Sequence, residues 1–320
     1  MNHSSVRILD DENNRLFGPG PYRLLKGIQK HGSLRAAAMD MGLAYSKAFR
    51  IIKQTEAFAG APLITREIGG KDGGGSRLSP LGEELIRRYT DLSRICDLRA
   101  SAFLPPCKEE AAASQVGVVV MAAGRSERFG SDKLLADLAG LPVLARTLLA
   151  IPADRVARIA AVVSRDGEEA LCHTLGVKTL RYPGGPVSES LHVGLAEMAD
   201  LDGCLFLNGD QPLIRSESIL SLLSAFQKAP GCCFRLSFEG MPGNPVLFSN
   251  GTFPALRALD GENGGAAIFR RGVPCELIPA AGAEELWDMD TPEQLAAAEK
   301  LLCRSPAPLN RNGLKLRKAN

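Results

Sequence analysis

Residues 116–133 read VGVVVMAAGRSERFGSDK, and this stretch decides the fold of the larger part of the chain. Val116–Met121 is an unbroken apolar run that ends in a small, polar, glycine-containing loop. That is the pattern of a buried parallel strand feeding a turn. Two further runs of the same kind follow, ARIAAVVS at 157–164 and GCLFL at 203–207, with helical stretches at 141–150, 167–175 and 187–198. Apolar strands alternating with helices predict a three-layer α/β/α, Rossmann-like domain. In open sheets of this kind ligands bind beyond the carboxyl ends of the strands, so chemistry is expected in the loops there.

The first such loop is AAGRSERFGSDK, 122–133. Ala122, Ala123 and Gly124 are small enough for backbone amides to approach a triphosphate, with Ser126 in the same turn. Arg125 and Lys133 supply fixed positive charge for the phosphates and for a pyrophosphate leaving group. The GxxxxGK[ST] spacing and the GxGxxG pattern are both absent, which sets aside P-loop and nicotinamide chemistry. The second loop, NGDQP at 208–212, places Gly209 and Asp210 directly after an apolar strand. Asp210 there can hold a divalent cation bridging phosphate oxygens, or simply cap the helix that begins near Ser216. In the third, WDMDTPEQL at 287–295, Thr291 is placed to cap a helix that Pro292 opens. Capping leaves Asp288 and Asp290 without a structural task. Asp290 is the candidate for a second carboxylate on the metal, and Asp288 reads equally well as a turn residue. Trp287 is expected as a core anchor, and His192 as a partly buried helix histidine.

Length and composition frame these loops. The 320 residues are 45% hydrophobic and 23% charged, enough for two folded domains. No apolar run is long enough to span a bilayer, and the start MNHSSVRILDDENN lacks a signal-peptide core, so a cytoplasmic protein with no membrane partner is expected. Eight cysteines are scattered without a CxxC pair, which argues against a disulfide frame or a zinc site. Charge is uneven: residues 1–105 carry 16 Lys and Arg against 11 Asp and Glu, and the remainder 22 against 25. The front is the part suited to a polyanion. The break LPPCKEEAAASQ at 104–115 reads as a linker, because it can bury little apolar surface. The expected organisation is therefore a first domain over 1–104, a linker over 105–115, a transferase-type domain over 116–303 and a basic, disordered tail over 304–320.

Within the first domain, YRLLKGIQKH (22–31) reads as a helix ended by Gly32. Ser33 caps a short helix that closes at Gly42, and a longer helix runs from about Tyr45 to Ala59. Two helices joined at a glycine turn have helix-turn-helix form. Phe49, Ile52 and Phe58 are expected to face inward, and Ser46, Lys47, Arg50 and Lys53 outward, where a recognition helix presents donors to bases and phosphates. The run LITREIGGKDGGGSRLSP then reads as a β-hairpin wing carrying Lys71 at its tip, before a helix opened by Pro80.

Two resemblances rest on these motifs. Residues 16–95 resemble the winged-helix domain of the bacterial molybdate-responsive transcription regulators, in GSLRAAAMDMGLAYSKAFRII, GGKDGGGS and RLSPLGEELIRRY. This implies double-stranded DNA as a partner and a homodimer. Residues 116–302 resemble the nucleotidyltransferases that mature molybdenum cofactor, the cytidylyltransferases above all. The shared stretches are MAAGRSERFGSDK, GGPVSESLHVGL (184–195), GDQP, GNPVLF (243–248) and DMDTPEQL. The guanylyl-transferring relatives usually have two glycines where this chain has Ala123-Gly124. What the resemblance implies is transfer of CMP from CTP to a molybdopterin-type cofactor with release of pyrophosphate, using Mg²⁺. Ser188, Ser190 and Asn244 would lie on the acceptor side, and a molybdenum hydroxylase would receive the product. Two positions depart from the family: Asn244 stands where a histidine is usual, and GENGGAA (261–267) has Glu262 for aspartate and no arginine. The alternatives that stay open are a regulator whose transferase-like half only senses ligand, and a transferase using GTP or another phosphate acceptor.

Overall fold

The computed structural model describes residues 5–9, 15–66, 75–103, 115–124 and 132–302. Four expectations therefore lie outside the described residues, wholly or nearly so: the wing tip with Lys71, the linker, the loop residues Arg125 and Ser126, and the basic tail. The chain divides into two units, Ser4–Ser93 and Arg94–Leu302. The division falls ahead of the prolines at 105 and 106, because Ile95 and Leu98 already pack into the core of the second unit.

The first unit opens with a short antiparallel pair, β1 (Ile8–Leu9) and β2 (Arg15–Phe17), which the sequence reading did not anticipate. Helix α1 (Pro19–His31) begins on a proline and ends at Gly32, whose φ of 65° is the left-handed conformation glycine adopts without strain. In α2 (Leu34–Asp40) the Ser33 hydroxyl accepts from the Ala36 amide at 3.4 Å, the cap read from the sequence. Helix α3 (Tyr45–Ala59) buries Ala48, Ile52 and Thr55. Phe58 does not join them and is 42% exposed. Six residues beyond Ile52, at about 100° per residue, it has rotated off the buried stripe. Strands β3 (Ile64–Arg66) and β4 (Ser76–Leu78) pair antiparallel. Pro80 opens α4 (Pro80–Phe103), where the Ser79 hydroxyl accepts from the Gly82 amide at 3.1 Å.

In the second unit the apolar runs become the middle of a seven-stranded sheet. Strand β5 (Val116–Ala122) is followed by the small pair β6 (Asp137–Leu138) and β7 (Leu141–Pro142), helix α5 (Val143–Leu149) and β8 (Arg158–Val163). Helix α6 (Asp166–Leu175), β9 (Lys178–Arg181), α7 (Val187–Glu197) and β10 (Gly203–Asn208) come next. The remainder is α8 (Ser216–Lys228), β11 (Cys233–Phe238), β12 (Met241–Ser249), short helices α9 (Phe253–Arg257) and α10 (Ala267–Arg270), β13 (Cys275–Pro279) and α11 (Pro292–Leu302). The strand order is β13-β11-β12-β10-β5-β8-β9.

The sheet is mixed rather than wholly parallel. Strand β12 runs antiparallel to both β10 and β11, and every other pairing in the sheet is parallel. The cause is local: Phe238 pairs with Met241 across Glu239 and Gly240, whose φ values of 49° and 79° make the two-residue turn that matches strand twist. Alternation along β5 fills both faces, with Val118 and Val120 in one core cluster and Val119 in the other. Trp287 is no core anchor; it is 38% exposed. No helix among the described residues is long and apolar enough to cross a membrane.

Candidate active site

The carboxyl ends of β5 and β10 sit side by side, with Asn208 in register with Met121. Their loops open on a cavity of about 790 Å³ lined at this end by Ala123, Gly124, Lys133, Asn208, Asp210 and Asp290. The NGDQP loop is held from three directions. Gly209 N donates to Met121 O at 2.9 Å, the Thr147 hydroxyl donates to Gly209 O at 3.0 Å, and Met289 N donates to Asp210 O at 2.9 Å. A Cβ on Gly209 would lie 3.1 Å from Met121 O and 3.3 Å from the Ala122 side chain, so a larger residue would have to push the two strand ends apart by a few tenths of an ångström. The Met289 bond ties this loop to the segment after β13. There Thr291 caps α11, its hydroxyl accepting from Gln294 N at 3.3 Å, while Gln294 Oε1 accepts from the amides of Asp290 and Thr291 at 2.8 and 2.9 Å. That reciprocal cap fixes the backbone from which Asp290 projects.

The two loops and the Lys133 turn meet at one point. Lys133 Nζ donates to Asp210 Oδ2 at 2.6 Å and to Asp290 Oδ1 at 2.8 Å. Burial alone would push this ammonium down, but the two carboxylates outweigh it and hold it above the ordinary lysine value, so it stays charged. Asp288 lies beside the cluster, and its Oδ1 is buried with no partner among the described residues. Burial, reinforced by the negative charge of Asp210, pushes its carboxyl up to about 6, against the pull of a hydrogen bond with the Asn208 side chain.

A divalent cation fits this donor set in part. Asp210 and Asp290 are hard oxygen donors whose oxygens already share one cationic centre, the lysine nitrogen. Among the described residues no group of three His, Cys, Asp or Glu is placed to cage a metal. Two carboxylates completed by substrate phosphates and water is how Mg²⁺ is commonly held in phosphoryl-transfer sites.

The remaining candidates divide. Ala123, Gly124, Ser190 and Asn244 line the cavity. Ala122 is instead in the core, 1% exposed, as is Ser188 at 2%, whose amide donates to Gly261 O at 3.1 Å; neither side chain lines the cavity, nor does Gly209. For Ala122 the reason is strand alternation, which turns it toward the α5 side. The Ser190 hydroxyl donates to Val187 O at 2.8 Å. Gly185, ahead of α7, has a φ of 149°, and a Cβ there would collide with the Tyr182 hydroxyl. That hydroxyl donates to Glu189 Oε2 at 3.0 Å. His192 has a structural bond, Nε2 lying 3.0 Å from Leu256 O. Arg235, Tyr182, Phe206, Phe248 and Glu262 also line the cavity, and sequence reasoning assigned none of them a binding role. Two signals were available: Glu262, already noted as a departure from the family, and Arg235, a charge interrupting the apolar strand CCFRLSF. In the first unit Ser46, Lys47, Arg50 and Lys53 are all exposed along α3, with Lys53 Nζ 2.7 Å from Glu56 Oε2.

Residues 118–275 match the family model of the MobA-like NTP transferase domain. Over 193 residues the chain is 28% identical to the purine catabolism protein PucB of Bacillus subtilis (strain 168), covering 55% of this chain and 92% of that protein. The N-terminal region is 42% identical over 66 residues to the molybdenum-pterin-binding protein MopB of Rhodobacter capsulatus, 21% of this chain and 24% of that protein. It is 37% identical over 76 residues to the transcriptional regulator ModE of Haemophilus influenzae, 24% of this chain and 30% of that one. The chain thus spans less than a third of the length of those two relatives. Among solved structures, a nucleotidyl transferase from Methanothermobacter thermautotroptrophicus (Mth528) aligns with a TM-score of 0.51 at 21% identity, covering 59% of this chain and 98% of that one. Rv0371c from Mycobacterium tuberculosis H37Rv aligns with a TM-score of 0.51 at 23% identity, covering 60% and 100%. At these identities the structures show a shared fold.

The raised Asp288 carboxyl has a consequence for stability. Its folded value lies above the ordinary 3.8, so the folded state favours the neutral acid. Its contribution is full below about 4 and is lost as the pH rises through about 6. In metal-free protein held in chelator, Asp288→Asn is expected to raise Tm at pH 8, by about 2–4 °C for each kcal/mol of relieved strain. The gap should narrow toward pH 4 in paired thermal melts.

Proposed function

From a chain that carries a MobA-like NTP transferase domain at residues 118–275 and an N-terminal region resembling ModE and MopB, we infer that the second unit is a nucleotidyltransferase moving CMP from CTP to a molybdopterin-type cofactor. The observation that carries this reading is the convergence of Lys133 on Asp210 and Asp290 at the mouth of the cavity. The cluster joins an ammonium to the two carboxylates that would hold Mg²⁺. When bound, the ion would neutralise the negative charge of the phosphates. The Ala123-Gly124 turn offers backbone close to the phosphates, and its alanine agrees with cytidine rather than guanosine relatives. Arg125 and Ser126 are assigned to the same phosphates.

In the reaction an oxygen of the acceptor phosphate attacks the α-phosphorus of the nucleotide. A new P–O–P linkage forms as the bond from the α-phosphorus to its bridging oxygen breaks. The electron pair leaves with pyrophosphate. A phosphate monoester is already anionic near neutral pH, so no base is needed and the protein's task is alignment and charge. Lys133 can turn from the carboxylates to the phosphates as the nucleotide enters, and Ser190 and Asn244 line the acceptor's path.

The first unit is proposed as a winged helix-turn-helix, with α2 and α3 as the two helices and β3–β4 as the wing. Ser46, Lys47, Arg50 and Lys53, with Lys71 on the wing, would face double-stranded DNA. The four exposed α3 side chains and the basic balance of residues 1–105 support this. A cytoplasmic homodimer that hands its product to a molybdenum hydroxylase completes the reading. A second reading, a regulator whose transferase-like unit only senses ligand, draws on Glu262, which puts a carboxylate on the acceptor end of the cavity.

Incubating the protein with Mg²⁺, molybdopterin-type cofactor and each nucleoside triphosphate in turn should release pyrophosphate selectively with CTP. Tight CTP binding without release would instead favour the sensor. Lys133→Ala should lower kcat by about 10²–10³, and a variant within a few-fold of wild type would remove Lys133 from the chemistry. For DNA, Lys47→Ala and Arg50→Ala should each weaken binding across sequences and reduce the slope of log K against log salt by about 1. Unchanged slopes in a filter-binding series would count against this face of α3.

A further inference from the structure

Of the side chains that line the cavity among the described residues, two are cationic, Lys133 and Arg235. Lys133 is already engaged by Asp210 and Asp290. Arg235 is in a different state. It lies on β11 opposite Val246 of β12, and strand alternation puts it on the face of Cys233, the face on which the cavity opens, while Phe234 and Leu236 enter the other core. Its Nε donates to Gly243 O at 2.6 Å, which aims the guanidinium and leaves the outer nitrogens for something else. No carboxylate among the described residues pairs with it. Burial pushes the guanidinium below the ordinary arginine value, with only the nearby Cys275 sulfur acting the other way. A half-buried cation without a counter-charge costs free energy, and a structure tolerates that cost where a ligand anion supplies the missing charge.

Position within the sheet says which ligand. The order β11-β12-β10-β5 puts Arg235 three strands from β5, about 14 Å across the sheet at the usual strand spacing and level with Val119, with the Ala123-Gly124 turn further on at the end of β5. A triphosphate cradled at β5 and steadied by Lys133 lies at the other end of the cavity. The cavity wall beside Arg235 includes Asn244 and Val246 of β12: Val246 is its register partner, and Asn244 follows the Gly243 whose carbonyl it bonds. A guanidinium with two free nitrogens on one edge matches the paired oxygens of a phosphate, which an ammonium does not.

We propose that Arg235 is the acceptor anchor, gripping a phosphate-class oxyanion of the acceptor at the far end of the cavity and thereby setting which molecules are admitted. This rests on the transferase reading for the identity of the acceptor, though the oxyanion site itself does not depend on it. Arg235 binds and orients substrate; it takes no part in bond making.

The test uses the full chain and two probes, inorganic phosphate and CTP with Mg²⁺, each titrated calorimetrically into wild type and Arg235→Met. Phosphate affinity is expected to fall at least tenfold in the variant, with CTP affinity within twofold of wild type. Arg235→Lys should bind phosphate with intermediate strength. If Arg235→Met does not fold, judged by its thermal melt, Arg235→Gln keeps a donor toward Gly243 O and carries the same expectation. Equal phosphate affinity in wild type and variant overturns the proposal, as does a wild type that binds no phosphate. A parallel loss of CTP and phosphate also overturns it, because that marks a collapsed cavity rather than a separate anchor. Failure of the wild type to release pyrophosphate with the pterin acceptor counts against the transferase reading and leaves the phosphate result to decide on Arg235.

Discussion

One ammonium joins three loops that are far apart in the chain. Lys133 reaches Asp210 across 77 residues and Asp290 across 157, and both bonds are short. Two carboxylates brought this close repel each other, and a half-buried site weakens the water that would otherwise screen them. The lysine resolves that repulsion while no other cation is present. The rest of the second unit holds this arrangement in place. Strands β5 and β10 set two of the loops side by side, and the Met289–Asp210 backbone bond draws in the third. The Thr291–Gln294 cap then fixes where Asp290 points.

The same cluster explains why Asp288 is neutralised more readily than an ordinary aspartate. It stands behind Asp210 with one oxygen buried and unpartnered, so its charge is opposed by burial and by its neighbour together. The protein thus places three aspartates around one lysine and gives them different tasks. Two face the cavity, and the third hydrogen-bonds the Asn208 side chain and stays at the back.

Much of this was legible in the sequence because it follows from local pattern. The apolar runs became β5, β8 and β10, and the glycine-turn helices and the Thr291 cap appeared where periodicity and capping chemistry put them. The carboxylates and Lys133 could be chosen because each follows an apolar strand or precedes a capped helix with no packing task. What local pattern does not carry is direction and distance. The reversal of β12 depends on two consecutive positive φ values at Glu239 and Gly240, which only a close reading of FEGM would suggest. Phe58 and Trp287 were read inward from their apolarity alone; rotation about α3 exposes the first, and the second lies in the loop segment ahead of α11. Ala122 and Ser188 sit in the right segments yet face the core, since a motif names a loop without saying which side of it meets a ligand. Arg235 was missed because it belongs to no motif, and its isolation from carboxylates is visible only in three dimensions.

The most direct test of the cluster is calorimetric titration of CTP with Mg²⁺ into wild type and Asp290→Ala. If Asp210 and Asp290 hold the cation that the triphosphate needs, the variant should bind CTP at least tenfold more weakly with Mg²⁺, and the two proteins should bind alike in chelator. Equal affinity in the presence of Mg²⁺ would contradict the account, leaving the convergence on Lys133 as a structural tie and nothing more.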